Sequence, residues 1–353
     1  MGIHAHSRPA LVTGGCGFVG RHVVTRLVRE GRDIWIIDDL STGRHPAAWL
    51  PDLGLTALDA EGQRFTHPNG ASVTWQRGDL RQVLRAALRG ELMLPEFGDV
   101  FHLAAVVGGR MKIDGDPLAV ATDLAIDAEM FNWAISARPE RILYASSSAA
   151  YPVDLQTADE HVALHEDMID FAGGRLGAPD MTYGWAKLTG EYLARIAASK
   201  YGLQVACVRP FSGYGEDQDE SYPIPAIAAR AARREDPLTI WGSGKQGRDF
   251  VHIEDCITVM IRALDLIHDG SAINIGSGRL TTFIEVARIF AGLAGYQPVI
   301  LPLEDKPVGV QARYADTTLL QSRLHWAPKI PLETGFARVL KAAEQRVRQP
   351  LVA

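Results

Sequence analysis

Thr13-Gly14-Gly15-Cys16-Gly17-Phe18-Val19-Gly20 is the stretch that decides the fold of this chain. It stands between an apolar run, Ala10–Thr13, and a segment, Phe18–Glu30, in which Val19, Val23 and Leu27 recur every four residues. A short run that is apolar throughout suits a parallel strand covered on both faces, and the four-residue recurrence suits a helix. Gly31 follows as a natural C-cap. In such a strand–turn–helix, Gly14 permits the tight turn and Gly17 lets the backbone approach a pyrophosphate. Gly20 lets the helix pack close to the sheet. The helix N-terminus then faces the phosphates with free N–H groups and a partial positive charge. The next run, Ile34–Asp38, ends in an acid 24 residues after Gly14. A carboxylate there binds adenosine ribose hydroxyls and repels a 2′-phosphate, so the spacing predicts NAD rather than NADP.

Outward from this unit, Val73–Gln76, Val100–Leu103, Arg141–Ser146 and Gln204–Arg209 read as further strands separated by helical patterns. The alternation predicts a doubly wound, Rossmann-type α/β fold with a parallel sheet. The pattern loosens between Thr42 and Ser72, where His45–Pro46, Leu50–Pro51 and Pro68–Asn69–Gly70 signal turns, so an elaborated loop or hairpin is expected there. After Tyr214, acidic, proline-rich and glycine-rich segments (Gly215–Pro225, Gly242–Arg248) mix with short helices. The expected division is an NAD-binding domain over residues 1–209, with elements contributed from 248–275. A smaller C-terminal α/β domain over 210–353 would mainly bind substrate.

The 353 residues are long for one hydrophobic core. The net charge of −6 and the scattered Lys and Arg residues argue against a nucleic-acid surface. Cys16, Cys207 and Cys256 are odd in number and widely spaced, which suggests neither a disulfide framework nor a metal site. A reducing, cytoplasmic setting is expected. The N-terminus, MGIHAHSRPALVTGG, has no apolar signal region, and His6 stands where a myristoylation signal wants Ser or Thr. No apolar run approaches the roughly 20 residues that span a bilayer.

A second motif, Tyr183-Gly184-Trp185-Ala186-Lys187, opens a helical segment running to about Lys200. Residues four apart share a helix face, so Tyr183 and Lys187 can point into one site. An ammonium beside a phenol stabilises the phenolate and lowers its pKa, which makes Tyr183 a candidate general base. Lys187 could also hold the cofactor ribose. Ser146, Ser147 and Ser148 follow the strand Arg141–Ala145, and the carboxyl end of a parallel strand is where doubly wound sheets place ligands.

In this order, the motifs resemble those of the extended short-chain dehydrogenases, and among them the NAD-dependent nucleotide-sugar epimerase/dehydratase group. The matching segments are TGGCGFVG, DDLSTG from Asp38, GDL at Gly78–Leu80, HLAA from His102, YASSSAAYP from Tyr144, YGWAK and RPFSGYG from Arg209. WGSGKQGRDFVHIEDC from Trp241, NIGSG from Asn274 and RYAD…LHWAP ending at Pro328 follow. The resemblance implies a catalytic trio of Ser147, Tyr183 and Lys187, with Ser147 chosen because it stands four before Tyr151. It implies cofactor contacts at Gly14, Gly17, Phe18, Val19, Asp38, Asp39, Leu40, Asp79, Leu80, Leu103, Ala104, Ala105 and Pro210, besides Tyr183 and Lys187. It implies substrate contacts at Val107, Gly108, Ser148 and Ser212, with Arg248 and Arg313 on the diphosphate. No metal is implied. A homodimer joined through a four-helix bundle is.

A finer likeness is to GDP-mannose 3,5-epimerases and, more distantly, GDP-fucose synthases. The chain departs from both. Ala149 stands where they carry a catalytic cysteine, and Asp219–Pro225 lacks the lysine of the 3,5-epimerases. Ser148 and Ala149 stand where 4,6-dehydratases carry an acidic pair, and Ser212 replaces a usual asparagine. A methyl group moves no proton. The reading is therefore oxidation and reduction at C4 of a GDP- or UDP-sugar through a 4-keto intermediate, as a 4-epimerase or 4-oxidoreductase. Two alternatives stand beside it. One is a 3,5-epimerase in which Tyr222, His165 or Glu166 replaces the missing acid/base. The other is a non-catalytic, NAD-binding regulatory protein.

Overall fold

The computed structural model describes residues 8–348 except Gly109 and Glu160, without the side chains of Arg110 and Lys112. The readings on residues 1–7 lie outside the described residues.

The glycine-rich turn joins β1 (Ala10–Thr13) to α1 (Phe18–Arg29), and β2 (Ile34–Asp38) follows. Two 3₁₀ turns lead to the short strands β3 (Thr56–Ala57) and β4 (Arg64–Thr66), then β5 (Ser72–Arg77) and α2 (Leu80–Leu88). Next come β6 (Asp99–His102), α3 (Arg110–Gly115), α4 (Pro117–Val120) and α5 (Thr122–Ala137). After these come β7 (Arg141–Ala145), α6 (Met181–Tyr201) and β8 (Val205–Pro210). The second part carries β9 (Ser212–Tyr214), α7 (Pro223–Ala232), β10 (Leu238–Trp241), β11 (Gly247–Arg248), β12 (Phe250–His252) and α8 (Ile253–Leu266). It continues through β13 (Asp269–Ile275), β14 (Thr281–Thr282), α9 (Phe283–Leu293), β15 (Ile300–Leu303) and β16 (Ala312–Arg313), and ends in α10 (Thr318–Leu324) and α11 (Leu332–Arg348).

Among the described residues, nine strands form one sheet in the order β13-β8-β7-β6-β1-β2-β5-β4-β3. The run from β13 to β5 is parallel, and β4 and β3 extend it antiparallel. The segment between Thr42 and Ser72 thus supplies a hairpin that widens the sheet. All four residues of β1 and of β6 are buried, which is why neither run alternates between apolar and exposed polar positions; the buried Asp99 and His102 of β6 are both hydrogen-bonded. One face is covered by α1, α8 and α10, through Val23, Leu27, Val259, Met260 and Leu320. The other is covered by α2, α5 and α6, through Leu84, Met130, Ala134 and Ala194. A separate apolar cluster gathers α7, α9 and α11 around Ile227, Phe290 and Phe336.

The sequence placed the strand cores correctly and missed ends by one residue or so: β6 stops at His102, β8 runs on to Pro210, and α6 begins at Met181. The three cysteines are buried and free. Among the described residues, no helix is long and apolar enough to cross a membrane.

Candidate active site

The strand order reverses between β1 and β6, and in open α/β sheets the crevice outside the carboxyl ends of such strands receives the ligand. Gly14 turns with φ +68°, and a Cβ on it would lie 2.9 Å from the backbone of Ala104. The turn and the loop after β6 therefore cross at van der Waals contact. A Cβ on Gly20 would lie 2.2 Å from the Gly14 carbonyl oxygen, so α1 can start there only with a glycine. The N-cap, Gly17, has no side chain to cap α1, and the first turn holds no acid. The orphan N–H groups of that turn fit a pyrophosphate.

Asp38 is partly buried at the end of β2. Its Oδ2 accepts the Cys16 N–H at 2.9 Å and its Oδ1 the Leu40 N–H at 2.8 Å. Burial pushes its pKa up, against those two hydrogen bonds. Each oxygen keeps a lone pair for a ribose hydroxyl. Asp39 is exposed and bonds the Ser41 N–H. Asp79 caps α2 through the Arg81 N–H, and the Arg81 guanidinium holds its pKa down. Leu80 is buried, while Leu103, Ala104, Ala105 and Pro210 are partly buried. All these segments leave the carboxyl ends of β2, β5, β6 and β8.

Tyr183 and Lys187 share one face of α6, with the Lys187 Nζ 5.9 Å from the Tyr183 ring centre. Ser147 heads the 3₁₀ turn Ser148–Ala150, where its Oγ accepts the Ala149 N–H at 3.1 Å. It also hydrogen-bonds the Tyr183 side chain. The main chain creates this proximity. The Asp180 N–H donates to the Ala149 carbonyl at 3.0 Å, and a Cβ on Gly184 would lie 2.3 Å from that same oxygen. Ser146 is committed to Glu191, and Ser148 is buried. Arg209, 1% exposed, locks the arrangement from behind. Its Nε and Nη2 hold Glu191 of α6 at 2.8 and 2.7 Å, and its Nη1 donates to the Tyr151 hydroxyl at 2.9 Å.

Behind Lys187 lies a network that sequence reasoning missed. Thr13 Oγ1 accepts the N–H groups of Leu103 and Ala104, so its own proton goes to His102 Nδ1 at 2.8 Å. His102 is then the neutral Nε2–H tautomer, donating to Asp127 Oδ1 at 3.0 Å. Tyr144 donates to Asp127 Oδ2 at 2.6 Å. His102 is a satisfied histidine at a strand end. Asp123, one turn before Asp127 on α5, accepts the Val106 N–H through Oδ1, while its buried Oδ2 has no hydrogen-bond partner among the described residues. The two carboxylates divide one ammonium unequally. Burial opposes the charge of both. Lys187, His102 and Tyr144 together hold Asp127 below its ordinary range, whereas burial pushes Asp123 up to about 6 against Lys187 and one hydrogen bond. The four-residue spacing of Asp123 and Asp127, which puts both carboxylates on one face of α5, was the available signal.

This network corrects one expectation. The pKa of Tyr183 is raised, not lowered: burial outweighs Lys187, whose charge Asp127 and Asp123 already offset, and Asp123 also acts directly on the phenol.

Of the residues expected to contact substrate, Arg248 and Arg313 stand opposite each other on the paired strands β11 and β16. Arg248 donates to the carbonyls of Gly247 and Val308, and Arg313 pairs with Asp180 at 3.0 Å. Ser212 begins β9 and is partly buried, and Val107 and Gly108 continue the loop after β6. Tyr222, the N-cap residue of α7, is partly buried, and its hydroxyl has no hydrogen-bond partner among the described residues. Burial and then Tyr183 push its pKa up to about 12, so the two phenols lie within electrostatic reach. His165 is instead paired with Asp167, and Glu166 accepts the Asn274 N–H.

Fold and turn together define a dinucleotide-binding α/β protein. Its chain belongs to the NAD-dependent epimerase/dehydratase family, whose profile matches residues 10–276. The cofactor of this family is NAD. Over 336 residues the chain is 27% identical to dTDP-4-dehydro-6-deoxy-D-allose reductase of Streptomyces bikiniensis, covering 93% of this chain and 94% of that one. It is 27% identical to GDP-mannose 3,5-epimerase 1 of Oryza sativa subsp. indica, covering 92% and 79%. Among solved structures, MoeE5 in complex with UDP-glucose and NAD superposes with a TM-score of 0.74 at 28% identity, covering 96% and 99%.

Proposed function

We propose that the protein is a nucleotide-sugar 4-epimerase or 4-oxidoreductase that works through a 4-keto sugar. The observation that carries this reading is the meeting of Ser147, Tyr183 and Lys187 at the carboxyl end of the sheet; beside them Ala149 is buried and offers only a methyl group at the position where the resemblance implies an extra acid/base in 3,5-epimerases. Tyr183 takes the proton of the C4 hydroxyl, and Ser147 holds that hydroxyl in line. Lys187 stabilises the resulting phenolate. When bound, oxidised NAD supplies the acceptor for the C4 hydride and a further positive charge. A 4-epimerase turns the ketone over and returns the hydride to its other face, and a 4-oxidoreductase releases it. The test incubates the purified protein with UDP- and GDP-sugars in deuterated water while following the reduced-nicotinamide band. Reversible reduction and a C4 product without deuterium are expected. Deuterium at C3 or C5 contradicts a C4-only mechanism.

One observation favours a second reading, a 3,5-epimerase with a replaced proton shuttle. Tyr222 enters from the second half of the chain with an uncommitted hydroxyl near Tyr183. If deuterium does enter the ring carbons, Tyr222→Phe abolishes it under this reading. We also propose a homodimer formed by α5 and α6. Leu124, Trp185 and Tyr192 are 40%, 49% and 50% exposed on those helices, and light scattering measures the mass.

A further inference from the structure

Three segments that would border the dinucleotide are tied together at one peptide and one carboxylate. The peptide is Cys16, in the glycine-rich turn. Its N–H is held by Asp38, while its carbonyl accepts both the Arg21 guanidinium and the Arg44 N–H, each at 3.0 Å. The turn before α1 and the loop after β2 are thereby stapled to each other. The carboxylate is Asp217, which arrives from the chain leaving β9. Its Oδ2 accepts Arg21 Nη2 at 2.7 Å, and its Oδ1 faces His22 Nε2 at 2.8 Å. Its backbone carbonyl accepts Arg44 Nη2 at 3.1 Å. Just upstream, Gly215 rests on the Phe18 ring, where a Cβ would lie 3.1 Å from it.

The far side of this crossing is anchored too. Glu216 faces His252 Nε2 at 3.2 Å, and its carbonyl accepts Arg346 of α11 at 3.1 Å. Arg21 is 6% exposed, so the pair is shielded on the arginine side, while the Asp217 side chain stays 35% exposed.

We propose that Asp217 is a positioning residue that latches the segment after β9 across the cofactor turn and thereby keeps NAD from leaving. Release of the dinucleotide requires the turn at Cys16 and the loop at Arg44 to part, and Asp217 holds both Arg44 and Arg21, whose guanidinium grips the Cys16 carbonyl. Hydrogen bonds and charges from His22 and Arg21 overcome burial and hold the Asp217 carboxyl well below its usual range. The latch therefore stays charged throughout the pH range of ordinary assays. The consequence, though not the latch itself, rests on the C4 reading. A cofactor that cannot leave must return its hydride, which selects epimerisation over release of the 4-keto sugar.

The experiment measures NAD carried through purification and its dissociation rate by repeated desalting, with the nucleotide extracted and quantified. It compares wild type, Asp217→Ala, Asp217→Asn and, as control on the same loop, Glu220→Gln. Wild type and the control are expected to retain NAD alike. Asp217→Ala is expected to lose it about tenfold faster or more, and Asp217→Asn by an intermediate factor, since it keeps an acceptor for Arg21 without the charge. Each apo variant is melted alongside. Faster loss at an unchanged apo melting temperature supports a latch. Should Asp217→Ala not fold, Asp217→Asn decides. Wild-type dissociation rates in the folded Asp217 variants, or a lowered apo melting temperature with no change in rate, overturn the proposal. No sugar is present, so the latch can fail while the C4 reading stands, and the reverse.

Discussion

Replacing Asp123 with asparagine should stabilise the protein near neutral pH by an amount that grows as pH rises. Asp123 is fully buried, and one of its oxygens has no hydrogen-bond partner among the described residues. It competes with the better-bonded Asp127 for the charge of Lys187, and burial pushes its pKa from 3.8 up to about 6. A carboxyl whose folded pKa is raised contributes stability that is present below its unfolded pKa and is lost as pH climbs through the folded one. Ionising Asp123 should therefore cost about 3 kcal/mol at neutral pH, of which about 1.4 kcal/mol accrues between roughly pH 5 and 7.5. Asparagine keeps the acceptor for Val106 and never ionises, so it mimics the protonated acid. With an unfolding entropy of about 2 cal/mol/K per residue, that increment corresponds to about 2 °C. The assay is thermal unfolding of apo wild type and variant across this range at constant ionic strength. A gap in melting temperature that stays constant, or narrows as pH rises, refutes the reasoning.

Asp127→Asn should act in the opposite direction. It faces two donors, Tyr144 and His102, with one acceptor instead of two and leaves Lys187 under-compensated, so a loss of about 3–5 kcal/mol should appear in denaturant melts. Tyr183→Phe and Lys187→Met should lower turnover of the identified sugar by about 10²–10⁴-fold. Tyr183→Phe should do so with its melting temperature retained, because Ser147 is the one hydrogen-bond partner of the lost hydroxyl among the described residues. Gly20→Ala places a methyl 2.2 Å from the Gly14 oxygen, which is backbone and cannot step aside. NAD content after purification should fall to background, and the apo melting temperature should fall with it.

The part of the fold legible in the sequence was the part carried by local pattern. Ala10–Thr13 and the Phe18 helix announced themselves because a buried parallel strand leaves no polar alternation and the glycine turn has few other uses. The segment 42–72 could be read only as a loop or hairpin, since strands as short as Thr56–Ala57 carry too few residues to show a period. At the site, Tyr183 and Lys187 were readable because they share one helix. Asp127, Arg209 and Asp217 were not, because their partners lie 25, 18 and 196 residues away. The sign of the Tyr183 shift was misread for the same reason. Lys187 is visible four residues on, but the carboxylates that offset it belong to another helix.

The contact between the Asp180 N–H and the Ala149 carbonyl, with Gly184 pressed against the same oxygen, has a consequence for how such a site can change. Ser147 and Tyr183 are registered to each other by main chain, so their spacing does not depend on the rotamers around them. Under the proposed C4 chemistry, side chains facing the sugar can be exchanged to admit a different ring while the proton-handling pair stays in place. A scaffold of this kind separates what is recognised from what is done, and new substrate preference can be selected without rebuilding the chemistry.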